Sequence, residues 1–422
     1  MTPRATRTGQ GTNSAQVRQF NERIVLRALR RLGEASKSDL AQAAGLTSNA
    51  IGEIIRELET LGLVRELGKK REGQRGQPAS IYELDPAGAF AIGVRLDRVA
   101  TEVVRVDLAG RVQSRRSHDS LLPPPDEMLE ILAADIASLR AELSPAEQTR
   151  LTGVGLAQPF HLASWLRELE LPPSSFRLWQ DVDFAAALSR ACGLPVFAEN
   201  DGNAAAIAEL FYGCGREIDD FIYLFVGGAV GGGIVKSGDC VHGVNGNAGD
   251  FAMMPVAASG LASAPRPDKP FDVLLTRASL TALKRHLRWH GHDVTSVSAL
   301  SGVLREDRAA GAIDEWLDDC ADALAAAVLS SVALLDIQTV VIDAGVDHGL
   351  VRRLIVRLDA RLAEATPESM RPPVLRSGSF GADAGALGAA TLPLFFNFSP
   401  RSSILTSAGA AIREARDHAA AE

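Results

Sequence analysis

Residues 198–209 read Ala-Glu-Asn-Asp-Gly-Asn-Ala-Ala-Ala-Ile-Ala-Glu. The β-favouring stretch Pro195 to Ala198 runs into an alanine-rich helical stretch, with Glu199, Asn200 and Asp201 at the join. A strand that gives way to a helix through polar residues is where α/β folds expose their chemistry. Asn200 can both donate to and accept from hydroxyls, and the Asp201 carboxylate can accept a hydrogen bond or take a proton, so the residue types suit a polyol. The same side chains also cap helices, and that reading stays open. Farther along come Val226-Gly-Gly-Ala-Val-Gly-Gly-Gly-Ile234 and Asn245-Gly-Asn-Ala-Gly-Asp250. The glycine run reads either as a phosphate loop, where bare backbone approaches an anion, or as a tight strand-to-strand turn needing positive φ. Asn247 and Asp250 read either as ligand contacts or as loop caps.

At 422 residues the chain exceeds one ordinary core, and with 46% hydrophobic and 23% charged residues it has a globular composition. No apolar run is long enough to span a bilayer. Met1 to Gly11 is polar and lacks the apolar centre of a secretory signal, so the expected location is the cytoplasm. Cys192, Cys214, Cys240 and Cys320 stand far apart, which argues for buried free thiols rather than a disulfide framework. The net charge of −8 hides an asymmetry: residues 1–85 carry 14 Lys and Arg against 10 Asp and Glu. That end is the candidate for meeting phosphate.

In Gln16 to Leu32, Phe20, Ile24, Val25, Ala28, Leu29 and Leu32 recur at helical spacing, while Arg18, Arg23, Arg27, Arg30 and Arg31 fill much of the remainder. One face packs and another is basic. Ser36 with Asp39 forms a capping-box pattern ahead of a helix to Ala44, and Gly45 supplies the turn. Thr47 caps a third helix whose stripe is Ile51, Ile54, Ile55, Leu58 and Leu61, ending at Gly62. Two short capped helices in this layout match a helix-turn-helix, with Ser48, Asn49, Gly52, Glu53 and Arg56 facing outward. Leu63 to Leu67 and Ile81 to Leu84 read as strands flanking a glycine- and charge-rich loop, which completes a winged helix. Arg75, between glycines in that loop, suits a narrow A·T-rich minor groove. A small protein-docking bundle remains the other reading.

From Ala91 the text changes to short strands, Ala91 to Leu96, Thr101 to Leu108 and Arg111 to Ser117, followed by a helix from Asp126 to Glu142. Gly153 to Pro159, a helix at Phe184 to Cys192 and the strand Pro195 to Ala198 complete a mixed sheet covered by helices. Helices are expected again at Thr281 to His290, Asp314 to Leu335, Gly349 to Leu362 and Ala382 to Leu392.

Taken with the winged helix, the Glu199-Asn200-Asp201-Gly202-Asn203 segment makes residues 16–395 resemble the ROK family of repressors and sugar kinases. The resemblance implies an α/β fold with an N-terminal winged helix-turn-helix followed by a two-lobed actin-like, ribonuclease-H-like sugar-kinase fold. The divisions expected are a tail at 1–15, a DNA-binding domain at 16–86, lobe 1 at 87–198, lobe 2 at 199–395, and a helix or tail at 396–422. It places Asp201 at the position of the family's general base and Asp250 at a sugar-binding glutamate one methylene longer.

The resemblance also marks departures. The kinases begin their first lobe with an aspartate that helps hold magnesium and glycines that approach phosphate; Arg95 stands at the aspartate, Asp97 and Arg98 at the glycines and Val99 at a threonine. Gly228 and Ala229 replace a Thr-Gly in the second phosphate loop, and Asp343 departs from a glycine-rich adenosine contact. Met253 replaces the histidine of a zinc site, and Ala257 to Lys269 contains no Cys or His, so neither zinc nor ATP-magnesium is expected as a cofactor and no metal site is assigned.

The reading is a DNA-binding transcriptional regulator, a repressor in type, whose kinase-like domain has no catalytic residue and senses a sugar or sugar derivative through Asn200, Asp201, Asp250 and Asn247. Ser48, Asn49, Gly52, Arg56 and Arg75 would contact a double-stranded operator, and the family implies a homodimer or homotetramer. Other readings stay open: a regulator controlled by a protein partner with a vestigial pocket, an ATP-dependent sugar kinase, and a structural adaptor.

Overall fold

The computed structural model describes residues 14–70, 79–180 and 182–405. Arg75, most of the expected N-terminal tail and residues 406–422 therefore lie outside the described residues.

Helix α1 (Ser14–Leu32) buries Val25, Ala28 and Leu29 of the stripe its spacing predicts, and Leu26 beside them; Phe20 and Ile24 are half-buried, and Leu32, at the end of the helix, is exposed. A short strand β1 (Glu34–Ser36), absent from the sequence reading, precedes α2 (Lys37–Ala44). The capping box forms: Ser36 N–H donates to Asp39 Oδ2 at 2.9 Å and Asp39 N–H to Ser36 Oγ at 3.2 Å. Gly45 ends α2 at φ 63°, in the left-handed region a glycine adopts freely. Thr47 Oγ1 then accepts from Ala50 N–H to start α3 (Ser48–Thr60), which buries Ile51, Ile54, Ile55 and Leu58, whereas Leu61, expected in the same stripe, caps the helix and is exposed. Strands β2 (Val64–Lys70) and β3 (Ala79–Leu84) pair antiparallel, and β1 adds to the free edge of β3.

The first lobe is a five-stranded sheet in the order β6-β5-β4-β7-β8. Strands β4 (Phe90–Leu96), β5 (Thr101–Asp107) and β6 (Val112–His118) form an antiparallel meander; β7 (Leu151–Gln158) and β8 (Val196–Asn200) add in parallel. On one face lie α4 (Pro125–Ala141), with Met128, Leu132, Ile136 and Leu139 inward, and α6 (Phe184–Cys192), with Phe184 and Leu188 inward; the short α5 (Pro145–Gln148) leads into β7.

The second lobe follows α7 (Asp201–Tyr212) and has the sheet order β11-β10-β9-β14-β15. Its strands are β9 (Phe221–Val226), β10 (Val230–Lys236), β11 (Asp239–Cys240), and, beyond a separate pair β12 (Pro255–Val256) with β13 (Asp272–Val273), the parallel β14 (Thr339–Ala344) and β15 (Val374–Ser377). Helices α8 (Leu274–Ala278), α9 (Leu280–Trp289), α10 (Leu300–Val303), α11 (Ala310–Leu335) and α12 (His348–Ala365) surround it.

The last helix, α13 (Ala384–Phe398), which the sequence reading places in lobe 2, returns to the first sheet. A Cβ on Gly93 would stand 2.1 Å from Ala390 N, and one on Gly155 1.8 Å from Ala389 O, so the two glycines let the helix backbone lie directly on β4 and β7. One buried cluster runs from Ile51 and Leu58 of the N-terminal module through Leu210 and Phe211 of α7 to Phe395 of α13. Apart from Arg18, which is exposed, the basic face of α1 is turned toward the body rather than outward. Arg23 donates to Phe396 O at 3.0 Å and Ser399 O at 3.2 Å, Arg31 donates to Gly215 O at 3.0 Å and pairs with Asp219, and Arg27 stands 3.9 Å from Asp219. Thus the charge asymmetry read from the sequence overstates the cations facing solvent. Among the described residues no helix is long and apolar enough to cross a membrane, and all four cysteines are free thiols, Cys240 and Cys320 buried.

Candidate functional site

Strands β7 and β8 end side by side, with Gln158 in register with Asn200. Asn200 is the N-cap of α7: its Oδ1 accepts from Gly202 N–H at 2.9 Å and from Asn203 N–H at 3.4 Å. Capping therefore occupies the side-chain oxygen and leaves the amide NH2 for a ligand. Asp201 Oδ1 accepts from Gly202 N–H at 2.8 Å. Burial raises the Asp201 carboxyl above its ordinary value and the charge of Asp97 adds to the rise, against the opposing pull of Arg98 and Arg95.

Glu199 and His242, neither picked out as a site residue from the sequence, extend the cluster. Glu199 Oε1 accepts from Asn200 N–H at 3.0 Å and from Asn203 Nδ2 at 3.1 Å, while Oε2 lies 2.7 Å from His242 Nδ1. That leaves His242 Nε2, Asn203 Oδ1 and Gln158 Oε1 buried with no hydrogen-bond partner. Three unsatisfied polar atoms around one strand-helix junction are what a hydroxyl-rich ligand would complete. A signal was present in the sequence for Glu199, which adjoins Asn200, but His242 arrives from a loop 43 residues later.

The glycine run corrects the turn reading. Gly231, Gly232 and Gly233 lie inside β10, and none of them adopts positive φ; the turn is at Gly227, whose N–H donates to Ala229 O at 2.9 Å. Their role is close approach. A Cβ on Gly202 would stand 2.3 Å from Gly232 O, and one on Gly249 3.2 Å from the same oxygen, so the start of α7 and the Asn245-to-Asp250 loop both press on Gly232. This brings the neighbourhoods of Asp201 and Asp250 to one strand. Asp250 Oδ2 accepts from Asn247 Nδ2 at 3.0 Å, which is the loop-capping arrangement, and Asp250 is exposed.

The β4–β5 turn carries the residues that depart from the kinase pattern. Asp97 Oδ1 accepts from Arg98 N–H at 2.7 Å, so this backbone donor is already satisfied from within the chain. Arg95 spans to Asp97 at 3.2 Å and Glu102 at 3.1 Å, and its side chain lies across Gly385 at the start of α13, where a Cβ would stand 2.6 Å away. Arg98, 5% exposed, donates to Leu162 O and His161 O at 2.9 Å and to Ser164 O at 3.2 Å. It anchors one wall of a 580 Å³ cavity lined by Gln158, Phe160, His161, Ser164, Trp179 and Gln180, a mixture of aromatic faces and hydrogen-bonding groups suited to a sugar ring.

Asp343, at the end of β14, is fully buried and accepts from Gly381 N–H at 2.9 Å, Phe380 N–H at 3.2 Å and Ala344 N–H at 2.9 Å. A concave set of N–H groups able to take an anion thus holds an internal carboxylate. Met253 is 49% exposed, and Ser259 and Ser263 of the following segment bond to Asp319 and His286.

On the N-terminal module, Ser48, Asn49, Glu53 and Arg56 are exposed along one side of α3 and Gly52 is half-exposed. Asn49 and Arg56 therefore stand free of the packed stripe, as a groove-reading helix requires.

Residues 91–394 match the family described as the ROK family. An uncharacterized protein, y4fQ, of Sinorhizobium fredii (strain NBRC 101917 / NGR234) is 28% identical over 380 residues, 90% of this chain and 92% of its own length. The xylose repressor of Bacillus subtilis (strain 168) is 22% identical over 244 residues, 58% of this chain and 62% of its own length. A beta-glucoside kinase of Listeria innocua serovar 6a (strain ATCC BAA-680 / CLIP 11262) is 34% identical over 127 residues, 30% of this chain and 43% of its own. The chain thus spans less than two thirds of the repressor and of the kinase. A solved structure described as a ROK family transcriptional regulator, homolog of the E. coli MLC protein, superposes with a TM-score of 0.64 at 21% identity, covering 92% of this chain and 99% of the other. That likeness establishes the two-lobed fold with its N-terminal module.

Proposed function

The chain belongs to the ROK family, and from that premise we propose that it is a DNA-binding transcriptional regulator, a repressor, whose body senses a sugar or sugar derivative without phosphorylating it. The observation that carries the reading is the placement of α7. Its first residue is Asp201, and Phe211 near its other end lies under Arg30 of α1, the helix that leads into the helix-turn-helix. A ligand gripping the Asn200-Asp201 end acts on the same rigid element that seats the N-terminal module. A coupling of about 1–3 kcal/mol through that element changes operator occupancy by one or two decades.

The exposed side of α3 enters the major groove, with Ser48, Asn49, Gly52 and Arg56 near base edges, and Arg75 reaches the flanking minor groove. Two copies would read half-sites one helical turn, or a multiple, apart. Support for a non-catalytic body comes from Asp97 and Asp343, which satisfy backbone donors that phosphate contacts would need, and from Arg95, which puts a cation where magnesium would need a carboxylate.

The deciding experiment is fluorescence-anisotropy binding of the full chain to DNA from its own upstream region at fixed physiological salt, with a panel of sugars and sugar phosphates. Nanomolar, sequence-selective binding released by one compound is the expected result. Binding without sequence preference and without response to any compound would sink the proposal and direct attention to a protein partner.

A further inference from the structure

Helix α9 carries His286 and His290 four residues apart, hence on one face, and α11 brings Glu315 to meet them. The two imidazole Nε2 atoms each lie 3.2 Å from Glu315 Oε2, and all three donor atoms fall within 4.8 Å of one another. Two ligand atoms held about 2.0–2.1 Å from a tetrahedral zinc ion stand about 3.3 Å apart, so the two histidine-to-carboxylate separations match the edge of such a site.

His286 is 3% exposed, and its Nε2, aimed at the cluster, lacks a partner of hydrogen-bonding geometry. Its other nitrogen, Nδ1, is engaged 2.7 Å from Ser263 Oγ, which fixes the ring and leaves Nε2 as the coordinating atom. The His286 and His290 rings meet edge to face at 4.7 Å, the splayed arrangement that lets two imidazoles converge on one point. Glu315 also lines a cavity of 520 Å³ beside α11.

We propose that His286, His290 and Glu315 form a binding site for a first-row divalent cation, with zinc the ion that best fits the donor set, and with the remaining position filled by water. Two imidazoles and one carboxylate suit zinc better than the all-oxygen cations. Met253 and residues 257–269 supply none of these ligands; only the packing of α9 against α11 brings the three together. The site rests on its own geometry and not on the regulator reading.

The test is titration of untagged, chelator-stripped full-length protein with zinc in competition with a chromophoric chelator, together with the visible spectrum of the cobalt-loaded form. The expected result is one equivalent per chain and a cobalt spectrum of low coordination number. His290→Ala and Glu315→Gln, at half-exposed and exposed positions that leave the core intact, should each weaken binding at least about 100-fold, and Ser263→Ala about 10-fold. Absence of stoichiometric binding to the native chain would overturn the proposal. So would unchanged affinity in His290→Ala with unaltered circular dichroism.

Discussion

The guanidinium carbon of Arg30 sits 3.5 Å from the centroid of the Phe211 ring. Enclosure lowers the Arg30 pKa to about 9, which still leaves it a cation at neutral pH, over an aromatic face at the C-terminal end of α7. The contact joins the N-terminal module to the helix that begins at Asp201, and Arg31 reinforces it through Gly215 O and Asp219.

Arg30→Ala should therefore loosen the seat of α1 and shrink the effector-induced change in DNA affinity several-fold. The contact is worth about 2 kcal/mol when desolvated. Anisotropy with and without the releasing sugar measures the change. A full response in the variant would place the coupling elsewhere.

On the DNA side, Asn49→Ala and Arg56→Ala should alter base preference within a half-site, each lost bidentate contact costing about 1–3 kcal/mol at its own base pair. Arg75→Ala should instead weaken binding most on A·T-rich flanks. Competition with systematically substituted half-sites separates these effects, and equal loss on every sequence would contradict the assigned roles.

At the sugar end, Asp201→Asn should abolish the effector response while leaving operator binding in its absence intact. Asn200 needs a gentler change because it caps α7, and truncation to alanine would cost about 1 kcal/mol of helix stability. Asn200→Ser keeps a capping oxygen and removes the amide, so it too should respond less without unfolding sooner. Calorimetric titration with the responding compound reads both.

The Glu199–His242 pair gives a pH signature. The Glu199 hydrogen bond and charge raise His242 above 6.5 against the effect of burial; burial alone would raise Glu199, but His242, Asn203 and the Asn200 N–H bring it below 4.5. A base with a raised folded pKa stabilises fully below its unfolded value, and that contribution is lost as pH rises through the folded value. An acid with a depressed folded pKa stabilises above its unfolded value, with loss as pH falls through the folded one. The pair should contribute most between pH 4.5 and 6.5. The gap in unfolding midpoint between native protein and His242→Gln should peak there and narrow on both sides; a gap flat with pH would mean the pair is not ionised.

Gly232→Ala should destabilise by roughly 1–3 kcal/mol, because the new Cβ would stand 2.2 Å from Tyr223 O and 2.7 Å from the Phe251 ring. Gly260→Ala, with nothing within 4 Å, is the control and should fall within about 0.5 kcal/mol of the native chain. Denaturant midpoints decide between them.

Local chemistry was the legible part of this chain. The Ser36–Asp39 box, the Gly45 turn and the Thr47 cap all involve partners within a few residues, and the strand-helix junction at Asn200 announces itself through the change of composition across it. What could not be read were choices made by distant residues. The arginines of α1 look solvent-directed until Asp219 and Ser399, 188 and 376 residues beyond the arginines they meet, close over them. Arg98 looks like a lost glycine until the carbonyls of 161–164 gather around it. The glycines of β10 were ambiguous because φ-driven and packing-driven glycines have the same letter, and only the approach of α7 tells them apart. His242 has no periodic or motif context at all, so its contact with Glu199 had no signature in the string.

Asp343 places an acid of the chain itself in the cradle of Gly381 and Phe380 N–H groups, as Asp97 does for Arg98 N–H. A soluble nucleotide would have to displace these internal acceptors to reach the same N–H groups. On the proposed regulator reading, the dose-response curve for the effector should then be the same at low and high ATP, the behaviour of a switch set by one compound and indifferent to nucleotide supply.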